Sequence, residues 1–255
     1  MCLVIEVGIF IFVMGLIMGS FLNVCICRIP EGQSISYPPS HCSKCNTRLK
    51  PWDLVPVLSY IFLRGKCRYC KSKVSIQYPV MEVLTGIVYL LIYMRHGLTS
   101  YTLRYIILAS FLIVIAMIDF KTTDIYDATV IIPAVIGIGF MVYDYLNHFN
   151  VSSRVFGVIL ALFIIGAIIL ITKAMGTGDL EVYMLIALYV GFKGTIFVIL
   201  TSIIIGGIVG LILIATKKKT KKDFIPFGPY IVIAGIIFMI YGNQILNWYL
   251  SLIGI

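Results

Sequence analysis

Charge is what this sequence has least of. Only 12% of its 255 residues are charged while 60% are hydrophobic, and its mean hydropathy is +1.04. A water-soluble domain carries about half apolar and about a quarter charged residues, so that class is excluded and a polytopic membrane protein is expected. Alternation of apolar and polar residues is also missing, which excludes barrel strands and leaves helices as the spanning elements. No Lys or Arg precedes Arg28, so the first apolar run lacks the basic start of a cleaved secretory signal and is expected to stay as a span. Of the three histidines, His96 and His148 are expected outside the membrane and His41 in a cysteine-bearing loop, so no catalytic Ser/His or Cys/His arrangement is evident. A glycine-rich strand-turn-helix fingerprint for a nucleotide-like cofactor is absent.

What is present are continuous apolar runs over 4–27, 80–94, 102–118, 128–146, 155–174, 182–192, 195–216 and 229–250. They predict an all-α membrane protein of about eight transmembrane helices, the second and sixth being short. With the N-terminus outside and the spans alternating, the cytoplasmic segments are 28–79, 119–127, 173–181 and 217–228. These hold sixteen of the twenty Lys and Arg, including the run Lys217-Lys218-Lys219-Thr220-Lys221-Lys222. Only Arg95, Arg104, Arg154 and Lys193 fall outside, as the positive-inside rule requires. Orientation and attraction to anionic membrane lipids account for the net charge of +9, and no nucleic-acid partner is needed.

Residues 28–79 form a cytoplasmic insert between the first span, 1–27, and the membrane-embedded remainder, 80–255. The insert carries six of the nine prolines and nine basic residues. It also carries Cys42-x2-Cys45 and Cys67-x2-Cys70, separated by 21 residues. Two such knuckles let four thiolates converge on one Zn²⁺, with no position left for water, so the expected role is structural. Two disulfides or four unrelated thiols are the competing readings. A reducing cytoplasm disfavours the first, and Lys44, Lys66, Arg68 and Lys71 beside the pairs favour thiolates. His41 is read as a neighbour of the metal, and Cys2, Cys25 and Cys27 as packing residues of the first span.

Only eleven residues are acidic. Asp119, Asp124 and Asp127 fall in "MIDFKTTDIYD", and Asp179 and Glu181 in "MGTGDLEVYM". The topology brings Asp119, ending the third span, and Asp179, preceding the sixth, to the same face. Two close carboxyls share a proton, so one can take a proton from water while the other polarises a carbonyl; this is the chemistry of an aspartyl protease. Gly176 and Gly178 open backbone conformations and room for a substrate chain, although a lone GxGD serves close helix packing equally well.

Taken together, "GSFLNVCICRIP" at 19–30, "YPPSHCSKCNTRL" at 37–49, "VPVLSYIFLRGKCRYC" at 55–70, "QYPVMEVLTG" at 77–86, "AMIDFKTTDIYD" at 116–127, "GTGD" at 176–179 and "PFGPY" at 226–230 resemble the type IV prepilin leader peptidase family over nearly the whole chain. The resemblance implies a bifunctional enzyme of the bacterial cytoplasmic (inner) membrane, with 80–255 as its aspartyl peptidase domain. Such an enzyme cleaves the basic leader of prepilins or pseudopilins after a glycine at the cytoplasmic face, then methylates the new N-terminal amine with S-adenosylmethionine. It maps the catalytic pair onto Asp119 and Asp179, with Asp127 in support. Two departures stand out: Ile125-Tyr126-Asp127 replaces the usual Leu-Pro-Asp, and Glu181 stands where the family has Lys. Glu82 is open to two readings, orienting the substrate amine or stabilising a helix start. The alternatives to a bifunctional enzyme are a peptidase without methyl transfer and a non-enzymatic scaffold or transporter.

Overall fold

The computed structural model describes residues 2–172, 175–218, 220 and 225–252. Lys173, Lys219, Lys221 and Lys222 of the basic segments lie outside the described residues, as does the Cys2 side chain. All the regular elements described are helical, and they fall into two compact units, Met1–Leu98 and Thr99–Ile255.

The first unit contains α1 (Cys2–Arg28), a 3-10 turn at Pro51–Asp53, α2 (Leu58–Phe62) and α3 (Gln77–His96). Helices α1 and α3 are apolar over most of their length and pack along "GLIMG", residues 15–19. A Cβ on Gly15 would lie 2.6 Å from the Cα of Gly86, and one on Gly19 would lie 2.6 Å from the Cα of Glu82. Lipid supplies no hydrophobic drive between helices, so close backbone approach through small residues does the work. Asn23, fully buried, fixes the register by donating to the carbonyls of Gly19 and Tyr78, each at 3.1 Å. At the end of α1, Arg28 donates to the carbonyls of Ser34 (2.9 Å) and Pro38 (2.7 Å) and so anchors the insert. Gly97 (φ 64°) then stops α3 in the left-handed region that favours glycine.

The second unit contains α4 (Ser100–Thr122), α5 (Asp127–Leu146), α6 (Ser152–Thr172), α7 (Thr177–Ala215) and α8 (Gly228–Leu252). Helix α4 is its centre: Leu108, Leu112, Ile115 and Ile118 are almost fully enclosed. Near the start of α4, Arg104 grips Asp144 of α5 through two 2.6 Å contacts, and Arg154 of α6 adds a third at 2.7 Å. The Arg104 guanidinium also lies over the Phe140 ring, 4.9 Å from its centre. A charge cluster of this kind is kept in an apolar setting only because every member is paired, and removing one partner costs about 3–5 kcal/mol.

Six helices are long and apolar enough to cross a membrane, with α7 counted once. Yet α7 is two arms. The Tyr183 hydroxyl and the Ser202 hydroxyl are 2.6 Å apart, whereas 19 residues of straight helix would separate them by about 28 Å. The chain doubles back at Gly191 (φ 73°, ψ −173°) with no intervening loop. The arms 177–190 and 192–215 correspond to the spans expected over 182–192 and 195–216. With α8, whose apolar stretch is Gly228–Gly242, the count matches the helices expected from the apolar runs.

The Gly191 conformation is closed to residues with a side chain, and a Cβ there would also meet Ser153 Oγ at 2.7 Å. Gly191→Ala is expected to lower stability by about 1–3 kcal/mol. A thermal unfolding scan in detergent measures this, and an unchanged midpoint would show that the turn is unstrained.

Candidate active site

Asp119 sits in the last turn of α4, which ends at Thr123 in the left-handed region with its N–H on the Asp119 carbonyl. Asp179 is the third residue of α7. Their residues are 4% and 6% exposed, and they lie close enough for the charge of Asp119 to act on Asp179. Sixty residues apart in sequence, they are brought to one place.

Each carboxylate accepts one backbone N–H. Gly228, at the start of α8, donates to Asp119 Oδ2 at 2.8 Å, and Gly176, just before α7, donates to Asp179 Oδ2 at 3.1 Å. Helix starts present unpaired N–H groups and the positive end of the helix dipole, so both donors suit an anion. Gly228 cannot be replaced without displacement, since a Cβ there would sit 2.7 Å from Asp119 Oδ2. Gly178 packs against Ile125 of the α4–α5 turn, where a Cβ on the glycine would lie 3.0 Å from that of Ile125, and so joins the two aspartate segments. The room at Gly178 is thus taken by the protein itself, while among the described residues a Cβ on Gly176 would meet only Asp179 Oδ2 at 3.8 Å and the Gly178 nitrogen at 4.0 Å. "PFGPY" stood out in the sequence, but nothing in it announced that the Gly228 amide would meet Asp119.

Asp127 is exposed at the start of α5, and Glu181 is half-buried on α7. Both line a groove of about 350 Å³ whose other walls are apolar, including Val130, Ile131, Met184 and Leu188. Asp124 is exposed. At Tyr126, where the resemblance expected Pro, the backbone is extended (φ −94°, ψ 128°) and its carbonyl receives the Thr129 amide (2.8 Å) and hydroxyl (2.6 Å).

In the first unit, the sulfurs of Cys42, Cys45, Cys67 and Cys70 lie within 4.8 Å of one another. Four Zn–S bonds of about 2.3 Å would set tetrahedral sulfurs roughly 3.8 Å apart. Cys42 Sγ and Cys70 Sγ are 3.8 Å apart, so this donor set fits zinc. The two knuckles repeat one geometry. In the first, Cys42 N–H bonds the Thr47 carbonyl and Asn46 (φ 53°) turns back to Cys42; in the second, Cys67 bonds Ser72 and Lys71 (φ 60°) turns back to Cys67. Isolated bridges His41–Arg48 and Lys66–Lys73 close each one. Backbone N–H groups of Cys45 and Lys44 pull the Cys42 thiol down to about 6, towards the thiolate that a metal binds. His41 lies outside this group and bonds the Pro39 carbonyl.

Asp53 ties the second knuckle to the rest of the insert. It accepts from Arg68 Nε (2.6 Å), the Tyr69 hydroxyl (2.9 Å) and the Lys50 amide (3.1 Å). Burial opposes its charge, but these donors outweigh burial and hold the carboxyl below its usual range. Glu82, buried in the second turn of α3, accepts the Val57 N–H at 2.7 Å, which sequence reasoning did not anticipate.

Residues 13–96 match the family described as bacterial peptidase A24 N-terminal domain, and residues 106–211 match the type IV leader peptidase family. Similar proteins named prepilin leader peptidase/N-methyltransferase come from several bacteria. The one from Bacillus subtilis (strain 168) is 30% identical over 95% of this chain and 97% of its own length. That from Pseudomonas putida is 28% identical over 95% and 93%, and that from Neisseria gonorrhoeae is 28% identical over 94% and 93%. No solved structure matches.

Because the four-thiolate site is closed, its metal is expected to hold the insert together rather than to react. Purified protein should contain one zinc per chain by atomic absorption, and Cys67→Ser should lose it together with protease resistance of 28–79. Full resistance in a zinc-free sample would show that the knuckles fold without metal.

Proposed function

The chain belongs to the type IV leader peptidase family, and from that premise we propose that it is a membrane aspartyl endopeptidase in which Asp119 and Asp179 cleave the leader of prepilin-like substrates and the new N-terminus is then methylated. The observation that carries the peptidase reading is the convergence of these two buried carboxyls, each with one oxygen held by a backbone N–H. Among the described residues no hydrogen bond engages their second oxygens, which leaves these for water and substrate. With one carboxyl ionised and one protonated, the ionised group takes a proton from a water molecule as that water attacks the scissile carbonyl carbon. The protonated group gives its proton to the carbonyl oxygen. Collapse of the tetrahedral intermediate then breaks the C–N bond, and the departing nitrogen takes up a proton.

The relatives' names support methyl transfer as the second activity, with S-adenosylmethionine as the donor implied by the resemblance. Glu82 is already engaged by the Val57 N–H and by the Ser20 hydroxyl, which favours a role in holding the insert over one in receiving the substrate amine. The clustering of Lys and Arg supports an orientation with the N-terminus outside and the aspartates at the cytoplasmic face of a bacterial inner membrane.

Co-expression with a prepilin tests the central reading. Asp119→Ala and Asp179→Ala should each abolish leader removal, and cleavage surviving either substitution would rule out the pair. Mass spectrometry of the wild-type product separates the bifunctional enzyme from a peptidase alone: a free amine at the new terminus would remove the methyl-transfer half.

A prepilin presents a basic leader followed by an apolar helix. The groove lined by Asp127, Glu181 and apolar side chains has the matching character, and supports a role for Glu181 in attracting the leader. Glu181→Lys is therefore expected to lower kcat/KM for a basic-leader substrate by about tenfold or more, the loss of roughly one close charge contact. Unchanged or faster cleavage would sink this role.

A further inference from the structure

The insert turns its apolar side chains outward. On α2, Leu58, Ile61 and Phe62 share one face at helical spacing and are 53%, 61% and 81% exposed, while Ser59, Tyr60 and Leu63 are half-buried. Just before them Trp52, Leu54 and Val55 are also exposed. In a water-soluble loop this arrangement would be inverted. A contiguous exposed apolar patch marks an interaction surface.

Three further observations say what covers it. The first is depth: the Val57 N–H is held by Glu82, the sixth residue of α3, about 8 Å along the helix from its start. The patch is therefore level with the second turn of a membrane helix. Its backbone is strained into place there, since Val57 is β-branched, has φ 60° and ψ −51°, and lies in a turn closed by the Leu58 N–H on the Pro56 carbonyl. The second is charge: residues 28–79 hold nine basic residues against Glu31 and Asp53. The third is the pairing of Trp52 with Lys50, whose Nζ is 5.2 Å from the ring centre; amphipathic and cationic side chains of this kind anchor at headgroup level.

We propose that segment 52–62 lies in the headgroup–acyl boundary of an anionic leaflet, with Trp52, Leu58, Ile61 and Phe62 among the lipid and the neighbouring Lys and Arg on the phosphates. The insert is then held at the membrane along its length, not only where α1 and α3 tether it. Glu82 sets its depth.

Trp52 reports on this directly, because the chain has only one other tryptophan, Trp248. The full chain with Trp248→Phe is reconstituted into vesicles containing phosphatidylglycerol. Acyl chains brominated near the headgroup are expected to quench Trp52 strongly, acrylamide in the water weakly, and emission should be blue-shifted. The triple substitution Leu58→Ser, Ile61→Ser, Phe62→Ser should reverse all three effects while retaining zinc, which checks that the insert still folds. Quenching by acrylamide but not by brominated lipid would put the patch in water. Protection from both would mean that protein covers it, and either result overturns the proposal. Equal lipid quenching in vesicles of neutral phosphatidylcholine would overturn its electrostatic part.

Discussion

A carboxyl group enclosed by apolar helices has lost the water that would solvate it, and its oxygens must find donors in the protein or lose their charge. Within α4 every backbone N–H near Asp119 is spent on the helix itself. Free N–H groups exist only at helix starts, so Asp119 depends on Gly228 at the start of another helix, α8, and Asp179 on Gly176 at the start of its own, α7. This one requirement arranges the second unit. The Asp119 bond joins the end of α4 to the start of α8, and α4 is the enclosed centre of the unit. The contact of Gly178 with Ile125 keeps the meeting tight, and a side chain on Gly228 would occupy the place of the Asp119 carboxylate.

Glycine answers the same demand elsewhere in both units, because helices in lipid gain stability by approaching one another closely. Gly15 and Gly19 let α1 lie against the backbone of α3. At Gly191 the effect is larger, since the turn has no loop residues and both arms of α7 stay in contact, through Tyr183 and Ser202. The first arm, 177–190, rises only about 21 Å, less than the roughly 30 Å of a bilayer core. Its two ends cannot both reach the surface of a flat bilayer. Either Asp179 or the Gly191 turn therefore lies within apolar surroundings, and the hydroxyls of Tyr183, paired with Ser202, and Tyr189, donating to the Pro133 carbonyl, are satisfied along the arm.

Apolar runs made the helices legible, because lipid rewards continuous hydrophobic length and little else does. The four cysteines were equally legible, since CxxC spacing reflects the bite of a single turn on a metal. Asp119 and Asp179 could be paired from topology alone, as alternation of spans puts them on one side. What could not be read was which backbone groups would serve them: the Gly228 amide meets Asp119 across 109 residues, and no periodicity encodes such a contact. The break at Gly191 was legible too, since Lys193 separates the runs 182–192 and 195–216; what could not be read is that the chain reverses there without loop residues. Arg104 and Arg154 were read as charges of the outer side; that Asp144, near the same helix ends, pairs with both could not be read. Glu82 was left between two roles because its partner, Val57, is brought near only by the fold of the insert.

The acidic residues, few as they are, separate by what they touch. Asp53 is consumed by Arg68 and Tyr69, Asp144 by two arginines, Glu82 by Val57, and the Asp119 and Asp179 side chains each by one backbone amide. Asp127 and Glu181 have no such engagement among the described residues, and both face the same largely apolar groove. A carboxylate with no internal partner keeps its full attraction for a cation arriving from outside, because no bond must first be broken. Had position 181 carried the family's usual lysine, the groove would hold one charge of each sign, free to satisfy each other. With glutamate it holds two negative charges and repels acidic segments. On the proposed reading, the departure shifts the groove's preference towards cationic, apolar chains while leaving the donors of Asp119 and Asp179 untouched.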